Sequence, residues 1–111
     1  MLLLTTKGRR SGEQRTVPLL YLVDGDRVVL VASNGGAMKH PTWWLNLQAD
    51  PEARIQIKGL RQRVRAEQAS AEEKRRLWPS LTRMYPGYRK YQDITNRDIP
   101  VVILRSVEKR P

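Results

Sequence analysis

Short β-rich runs, each closed by a glycine turn, constrain this chain more than any other feature, because such runs bury a face only by pairing with one another. Residues 1–7 read as a strand ending on the turn Gly8-Arg9-Arg10-Ser11-Gly12. Residues 15–23 and 27–33 flank Asp24-Gly25-Asp26, and an Asp-Gly step between apolar runs marks a hairpin. Pro18 lacks the N–H that a central strand needs, which predicts an edge or bulged position. Residues 53–58 alternate with period two. Beyond Gly59, residues 60–67 repeat the alternation and put Arg61, Arg63 and Arg65 on one face, a second hairpin half exposed to solvent. Residues 99–105 read as a final buried strand.

Helical signals interrupt this pattern. Residues 40–49, with Pro41 or Thr42 near the start, follow the flexible loop Asn34-Gly35-Gly36-Ala37 and close at Asp50-Pro51. Ser70-Ala71-Glu72-Glu73 matches a capping box with Ser70 as N-cap, opening a helix through Leu77, Trp78, Leu81 and Met84. Pro79 predicts a kink or restart within it. Pro86 starts a further segment that sets Tyr85, Tyr88 and Tyr91 on roughly one helical face. About six mainly antiparallel strands with two or three helical segments predict an α+β fold, and this many short strands round one small core predict a partly closed barrel. The 111 residues suffice for a single domain, residues 1–111, and exclude a two-domain enzyme.

Composition narrows the chemistry. Lys and Arg number 21 against 11 Asp and Glu, a net charge of +10, so an anionic partner is expected. With no cysteine and only His40 as histidine, no disulfide, thiol nucleophile or metal site is expected. Catalysis then rests on a borrowed cofactor or on Tyr, Ser, Lys and Arg. No apolar run is long enough for a membrane-spanning helix or a signal core, and the expectation is a cytoplasmic protein. Residues 1–4 begin directly as a strand, as if a longer natural N-terminus had been trimmed.

Four constellations carry candidate chemistry. Lys7, Arg9, Arg10, Ser11 and Arg15 surround a glycine turn, combining guanidinium forks with free backbone N–H groups as a phosphate or carboxylate tail requires. A solvated basic hairpin explains the same composition at least as well. The loop at residues 32–36 leads through Lys39 into Pro41-Thr42-Trp43-Trp44-Leu45-Asn46, a glycine loop opening onto a helix N-terminus. Adjacent tryptophans point about 100° apart on a helix, so either one walls a pocket while the other is core, or both are core. Tyr85, Tyr88 and Tyr91 either close over a planar ligand or pack in the core. The Arg61, Arg63, Arg65 row suits a nucleic-acid backbone or a solvated edge; without interleaved aromatics the edge is favoured and no nucleic-acid partner is expected.

Taken in order, residues 3–12, 15–19 and 31–33, then Lys39-His-Pro-Thr-Trp-Trp-Leu-Asn-Leu47 and Met84-Tyr-Pro-Gly-Tyr-Arg-Lys-Tyr91, resemble the deazaflavin-dependent nitroreductase family. The resemblance reaches Ile99-Pro100-Val101-Val102. It implies a split β-barrel binding coenzyme F420, an 8-hydroxy-5-deazaflavin with a phosphate and an oligoglutamate tail, with FMN as the lesser alternative. The implied activity is hydride transfer from reduced F420 to a small electrophilic acceptor, a quinone, enone or nitro compound. Phosphate-side contacts would fall on Arg9, Arg10 and Ser11 and on Arg15, Thr16, Val17, Pro18, Leu19 and Leu20. Val31, Ala32, Ser33 and Asn34, with Thr42, Trp43, Trp44, Leu45 and Asn46, would line the ring and linker. Tyr88 would lie near the deazaflavin, with Tyr85 and Tyr91 on the substrate side; Tyr88 or Ser33 would stabilise acceptor charge or relay a proton. Leu20 and Asn34 depart from the tyrosine and lysine of a resembling nitroreductase, so the coenzyme site looks kept and the substrate pocket altered. The competing readings are a non-catalytic deazaflavin or FMN carrier and a basic nucleic-acid module. Monomer and homodimer both remain open, as does peripheral contact with an anionic membrane face.

Overall fold

In the computed structural model, which describes residues 1–107, the chain runs β1 (Leu2–Lys7), β2 (Gln14–Leu19), β3 (Leu22–Asp24), β4 (Arg27–Val31), α1 (Thr42–Ala49), β5 (Glu52–Ile57), β6 (Leu60–Gln68), α2 (Ala71–Met84), α3 (Gly87–Ile94) and β7 (Val101–Ser106). A 3-10 turn at Asn34–Gly36 precedes α1. The strands form one seven-stranded sheet in the order β2-β1-β5-β6-β7-β4-β3, with every neighbour antiparallel.

The expected hairpins form for local reasons. Lys58 and Gly59 link β5 to β6 with φ +51 and +82, the doubly left-handed turn whose twist matches flanking strands. Gly25 takes φ +64 between Asp24 and Arg27, the closing pair of the β3–β4 hairpin. Pro18 sits on β2, an edge of the sheet, where its missing N–H breaks no ladder.

Residues 15–23, expected as one strand, are two. The run breaks at Leu20 and Tyr21, which raises the strand count to seven. The pieces belong to opposite edges of the sheet, so the link between them bridges those edges. Three Cα steps of ~3.8 Å carry the chain from Leu19 to Leu22, so the edges approach within about 11 Å there. A flat sheet of this order cannot satisfy that distance; the sheet curls into an open barrel.

Register decides what the barrel buries. Leu2, Leu4 and Thr6 pair with Leu19, Val17 and Arg15, and face inward with Leu30, Ala32, Trp43, Trp44, Leu47, Ile55, Val64, Ala66, Val102 and Leu104. The opposite faces of β4 and β7 bury Val29, Val31, Val101 and Ile103 against Leu77 and Leu81 of α2 and Tyr88 of α3. These strands are covered on both sides, which explains their near-continuous apolar sequence. Arg61, Arg63 and Arg65 lie exposed on the outer face of β6, as the alternation predicts.

Helix α2 starts as expected, with Ser70 Oγ accepting the Glu73 N–H at 3.1 Å. It runs unbroken through Pro79, so the expected restart does not occur. Arg75, whose carbonyl loses its helical donor at Pro79, is exposed, so water can satisfy that oxygen. An ion cluster pins the helix to the β3–β4 hairpin. Arg76 bonds Asp24 at 2.9 Å and Glu73 at 2.8 Å, and Arg27 bonds Asp24 and, at 3.5 Å, Glu73.

Hydrogen bonds from Arg76 and then Arg27 hold the Asp24 carboxyl down at about 2, from the usual 3.8. A depressed carboxylate stabilises the fold above its unfolded pKa and stops doing so as pH falls through the folded value. Asp24→Asn is therefore expected to lower stability by about 1 kcal/mol at neutral pH and by nothing once pH drops below ~2, read from urea unfolding midpoints. Pro79→Ala is expected to raise stability by ~1–3 kcal/mol in the same assay, by restoring the bond to Arg75.

Candidate functional site

A cavity of about 1020 Å³ lies between strands that are not neighbours in the sheet, walled by Val17 and Leu19 of β2 and by Leu30 and Val31 of β4. The start of α1 and the tyrosines around α3 complete the wall. This is the upper end of the size range for ligand pockets, roomy enough for a ring system with a tail.

One end is cationic. Gly8 N–H bonds the Glu13 carbonyl at 2.7 Å and Gly12 N–H bonds the Gly8 carbonyl at 2.8 Å, folding residues 8–13 into a tight turn. Gly8 is closely packed: a Cβ there would lie 2.9 Å from Ser11 Oγ and 3.2 Å from the Glu13 carbonyl, so the serine would have to rotate away. Helix α1 fixes this turn through buried Asn46, whose Oδ1 accepts from Arg9 N–H and whose Nδ2 donates to Thr6 Oγ1, both at 3.1 Å. Arg9, Arg10, Ser11 and Arg15 line the cavity, with Lys39 from the loop before α1. No Asp or Glu stands among the described lining residues. Of the paired carboxylates, Asp24 and Glu73 serve the α2 cluster, Asp98 pairs with Lys74 and Glu67 with Arg105, while Glu13 of the turn makes an exposed pair with Arg15 at 3.5 Å.

The other end is aromatic. Tyr85 caps the C-terminus of α2, while Tyr88 and Tyr91 lie on α3, so the stripe spans two helices instead of one. Tyr85 packs edge-on to Tyr88 with ring centroids 4.9 Å apart, and its hydroxyl bonds the Tyr91 hydroxyl at 3.1 Å. Burial pushes the Tyr88 phenol up to about 12, so it stays protonated well past the range where an exposed tyrosine ionises. The hydrogen bond to Tyr85 raises Tyr91 as well.

The cavity brings together Arg9, Arg10, Ser11, Arg15, Val17, Pro18, Leu19, Leu20, Val31, Ser33, Asn34, Thr42, Trp43, Asn46, Tyr85, Tyr88 and Tyr91. Thr16, Ala32, Trp44 and Leu45 stand off its wall. Thr16 alternates to the outer face, where its Oγ1 meets Thr5 Oγ1 at 2.8 Å. Ala32 and Trp44 lie in the inner core, so of the tryptophan pair only Trp43 walls the cavity. Thr6, Leu30 and His40 also reach the wall; Leu30 follows from the alternation that turns it inward, whereas nothing local in the sequence marks Thr6 or His40.

Arg97 gave no sequence signal at all, yet it organises the wall loop. Its guanidinium donates to the Ala37 carbonyl at 2.8 Å, the Ser33 carbonyl at 2.6 Å and the Ala32 carbonyl at 3.3 Å, and faces His40 Nδ1 at 3.2 Å. The positive φ values of Asn34, Gly35 and Gly36 shape that loop, and Asn34 Nδ2 closes it on the Lys39 carbonyl at 3.1 Å.

The F420H(2)-dependent quinone reductase family model matches residues 1–106. Rv3178 of Mycobacterium tuberculosis, named for F420H(2)-dependent quinone reduction, is 43% identical over 104 residues, covering 94% of this chain and 87% of that protein. The F420H(2)-dependent quinone reductase Rv1261c of the same organism is 39% identical over 106 residues, covering 93% of this chain and 71% of that one. Among solved structures, an F420-H2 dependent reductase, FDR-A, superposes with a TM-score of 0.85 at 36% identity, covering 94% of this chain and 92% of that chain. Another, described as a domain-swapped dimer, gives a TM-score of 0.86 at 36% identity over 94% of this chain and 78% of that one. On a match that runs from the first strand through the last, the chain belongs to the F420H(2)-dependent quinone reductase family of split-barrel oxidoreductases.

Proposed function

We propose that this chain is one deazaflavin-binding domain that passes hydride from reduced coenzyme F420 to a quinone. The observation that carries the proposal is the division of the cavity into an end lined by Arg9, Arg10, Arg15 and Lys39, with only the exposed Glu13 beside Arg15, and an aromatic end. The donor set fits the group: Arg9, Arg10, Arg15 and Lys39 are exposed at the cavity and suited to a phosphate and a polyglutamate tail. Trp43, Val17, Leu19, Leu30 and Val31 offer apolar surface to a flat ring.

When bound, reduced F420 supplies a hydride, and a quinone that takes up this hydride and a proton becomes a quinol. The residues of the chain bind, orient and exclude water. The turn at residues 8–13, tied by Asn46 to α1, anchors the anionic tail and so sets the depth of the ring. Tyr85, Tyr88 and Tyr91 shield the acceptor side, and the Tyr88 hydroxyl holds its proton for the developing oxyanion. Ser33, buried on the cavity wall, offers a second hydroxyl there. Leu20 presents an apolar side chain to the cavity, which suits a hydrocarbon-substituted quinone.

A homodimer is the favoured assembly, supported by the solved relative described as a domain-swapped dimer. Cytoplasmic placement with peripheral contact to an anionic membrane face completes the reading. No helix among the described residues is long and apolar enough to cross a membrane, and exposed Arg54, Arg61, Arg63 and Arg65 on the outer sheet face suit anionic lipid.

Reversing charge in the Arg9→Glu, Arg10→Glu double variant is expected to raise the Kd for F420 by more than about tenfold in a fluorescence titration, and equal affinity would remove the anchoring role. Tyr88→Phe is expected to lower kcat for quinone reduction by about tenfold or more while leaving the coenzyme Kd within about twofold, read by stopped-flow and titration. Because the Tyr88 phenol ionises only near 12, turnover of the wild type is expected to show no loss of this donor between pH ~7 and ~10.

A further inference from the structure

Arg97 is a half-buried cation whose hydrogen bonds go to backbone carbonyls and an imidazole, with no carboxylate opposite it among the described residues. Its five donors are spent on a converging set of fixed acceptors. Its own segment lacks regular structure but is held from two helices: Gln92 Nε2 of α3 donates to the Arg97 carbonyl at 2.9 Å, and Gln92 Oε1 accepts from Ile99 N–H and Lys74 Nζ, both at 3.1 Å. Lys74 of α2 also reaches Asp98 Oδ1 and the Ile99 carbonyl at 2.7 Å. The guanidinium is thus positioned before any ligand arrives.

A guanidinium has donors only, so the imidazole nitrogen that faces it must be an acceptor. At His40 this assigns the lone pair to Nδ1 and the proton to Nε2. Protonating Nδ1 would put two donors face to face. Burial and then the Arg97 charge also push the imidazole below its usual value, in agreement with the geometry. His40 lines the cavity, and its Nε2 has no protein partner among the described residues.

We propose that Arg97 is a positioning residue that locks the wall loop and fixes His40 as a neutral Nε2–H donor, and that His40 is a binding residue that donates to an acceptor oxygen of the coenzyme. The second half rests on the F420 reading above; the first half does not. The charged and titratable groups on the same cavity are Lys39, Arg9, Arg10 and Arg15 at one end and Tyr85, Tyr88 and Tyr91 at the other. None of them is an acid that would favour an imidazolium.

His40 is the only histidine of the sequence, so its imidazole nitrogens give one unambiguous pair of NMR signals. In the ligand-free wild type near neutral pH, Nδ1 is expected unprotonated and Nε2 protonated. Saturation with F420 is expected to shift the Nε2 signal. His40→Ala is expected to raise the coenzyme Kd about tenfold, while His40→Gln, which can accept from Arg97 and donate into the cavity, stays within about threefold. Arg97→Lys, lacking the planar fork, is expected to move the imidazole toward a mixture of tautomers and to weaken binding by a similar factor. An imidazolium or an Nδ1–H tautomer in the wild type overturns the lock, whether or not the Arg97 variant folds. Equal affinity of His40→Ala and wild type overturns the donor role. A wild type that fails to bind F420 overturns the coenzyme reading and the donor role with it, while the tautomer of the free protein still decides the lock.

Discussion

The link at Leu20 and Tyr21 is the constraint from which the molecule follows. It joins β2 to β3, the two outermost strands of the sheet, so the curl of the barrel is set by the covalent chain as well as by packing. Curling brings the inward residues of β2 and β4 to face one another across a gap, with no ladder between them. A fully paired barrel of this size would fill that space with side chains. Here the gap is the cavity, and its seam residue Leu20 belongs to the wall.

Curling also leaves two kinds of outer surface. Beside β4 and β7 the outer face is apolar and covered by α2 and α3, whose tyrosines reach round to the cavity. Over β5 and β6 it carries exposed arginines, with Arg63 directly opposite Arg54 in the ladder. Like charges at opposed positions destabilise a pair slightly and discourage stacking of one sheet on another copy through the same face. The cationic character of the chain therefore divides into an outer field and a concentrated inner patch at the turn after β1. Only the inner patch sets its charge on a concave wall, and its turn spends the N–H groups of Gly8, Arg9, Gly12 and Glu13 on its own hydrogen bonds.

Much of this was legible because local rules acted alone. Gly59 and the Asp24-Gly25 step announced hairpins, Ser70 announced a cap, and Pro18 announced an edge; the structure has each of them. The break at Leu20 and Tyr21 was hidden because apolar residues continue through it, and only the global sheet order reveals that a strand must end there. Pro79 predicts a restart that does not occur, for the opposite reason. Its local penalty is real, but the helix continues because Leu77 and Leu81 on either side are buried in the outer core. Within the candidate site, a segment carried over whole, such as residues 15–20, ignored the alternation that sends Thr16 outward. Arg97 was illegible altogether, since its acceptors at Ala32, Ser33, Ala37 and His40 are backbone and side-chain atoms far from it in sequence.

The wall loop before α1 and the aromatic end of the cavity are mechanically one body. The 3-10 turn packs on α3 so closely that a Cβ on Gly36 would lie 2.8 Å from Ile94 Cδ1 and 3.2 Å from Tyr91 Cα. Glycine there serves both the approach and the left-handed φ of +81. Arg97 ties the same turn to the segment that follows α3, and Gln92 ties that segment back to the helix. A displacement of the wall beside Ser33 and His40 thus meets the backbone of Tyr91, whose hydroxyl is bonded to Tyr85. Hydride transfer requires donor and acceptor rings to be held face to face within a few tenths of an ångström. Two cavity walls that move together preserve such a spacing better than two walls that fluctuate separately, and the close approach of Gly36 to α3 joins them directly.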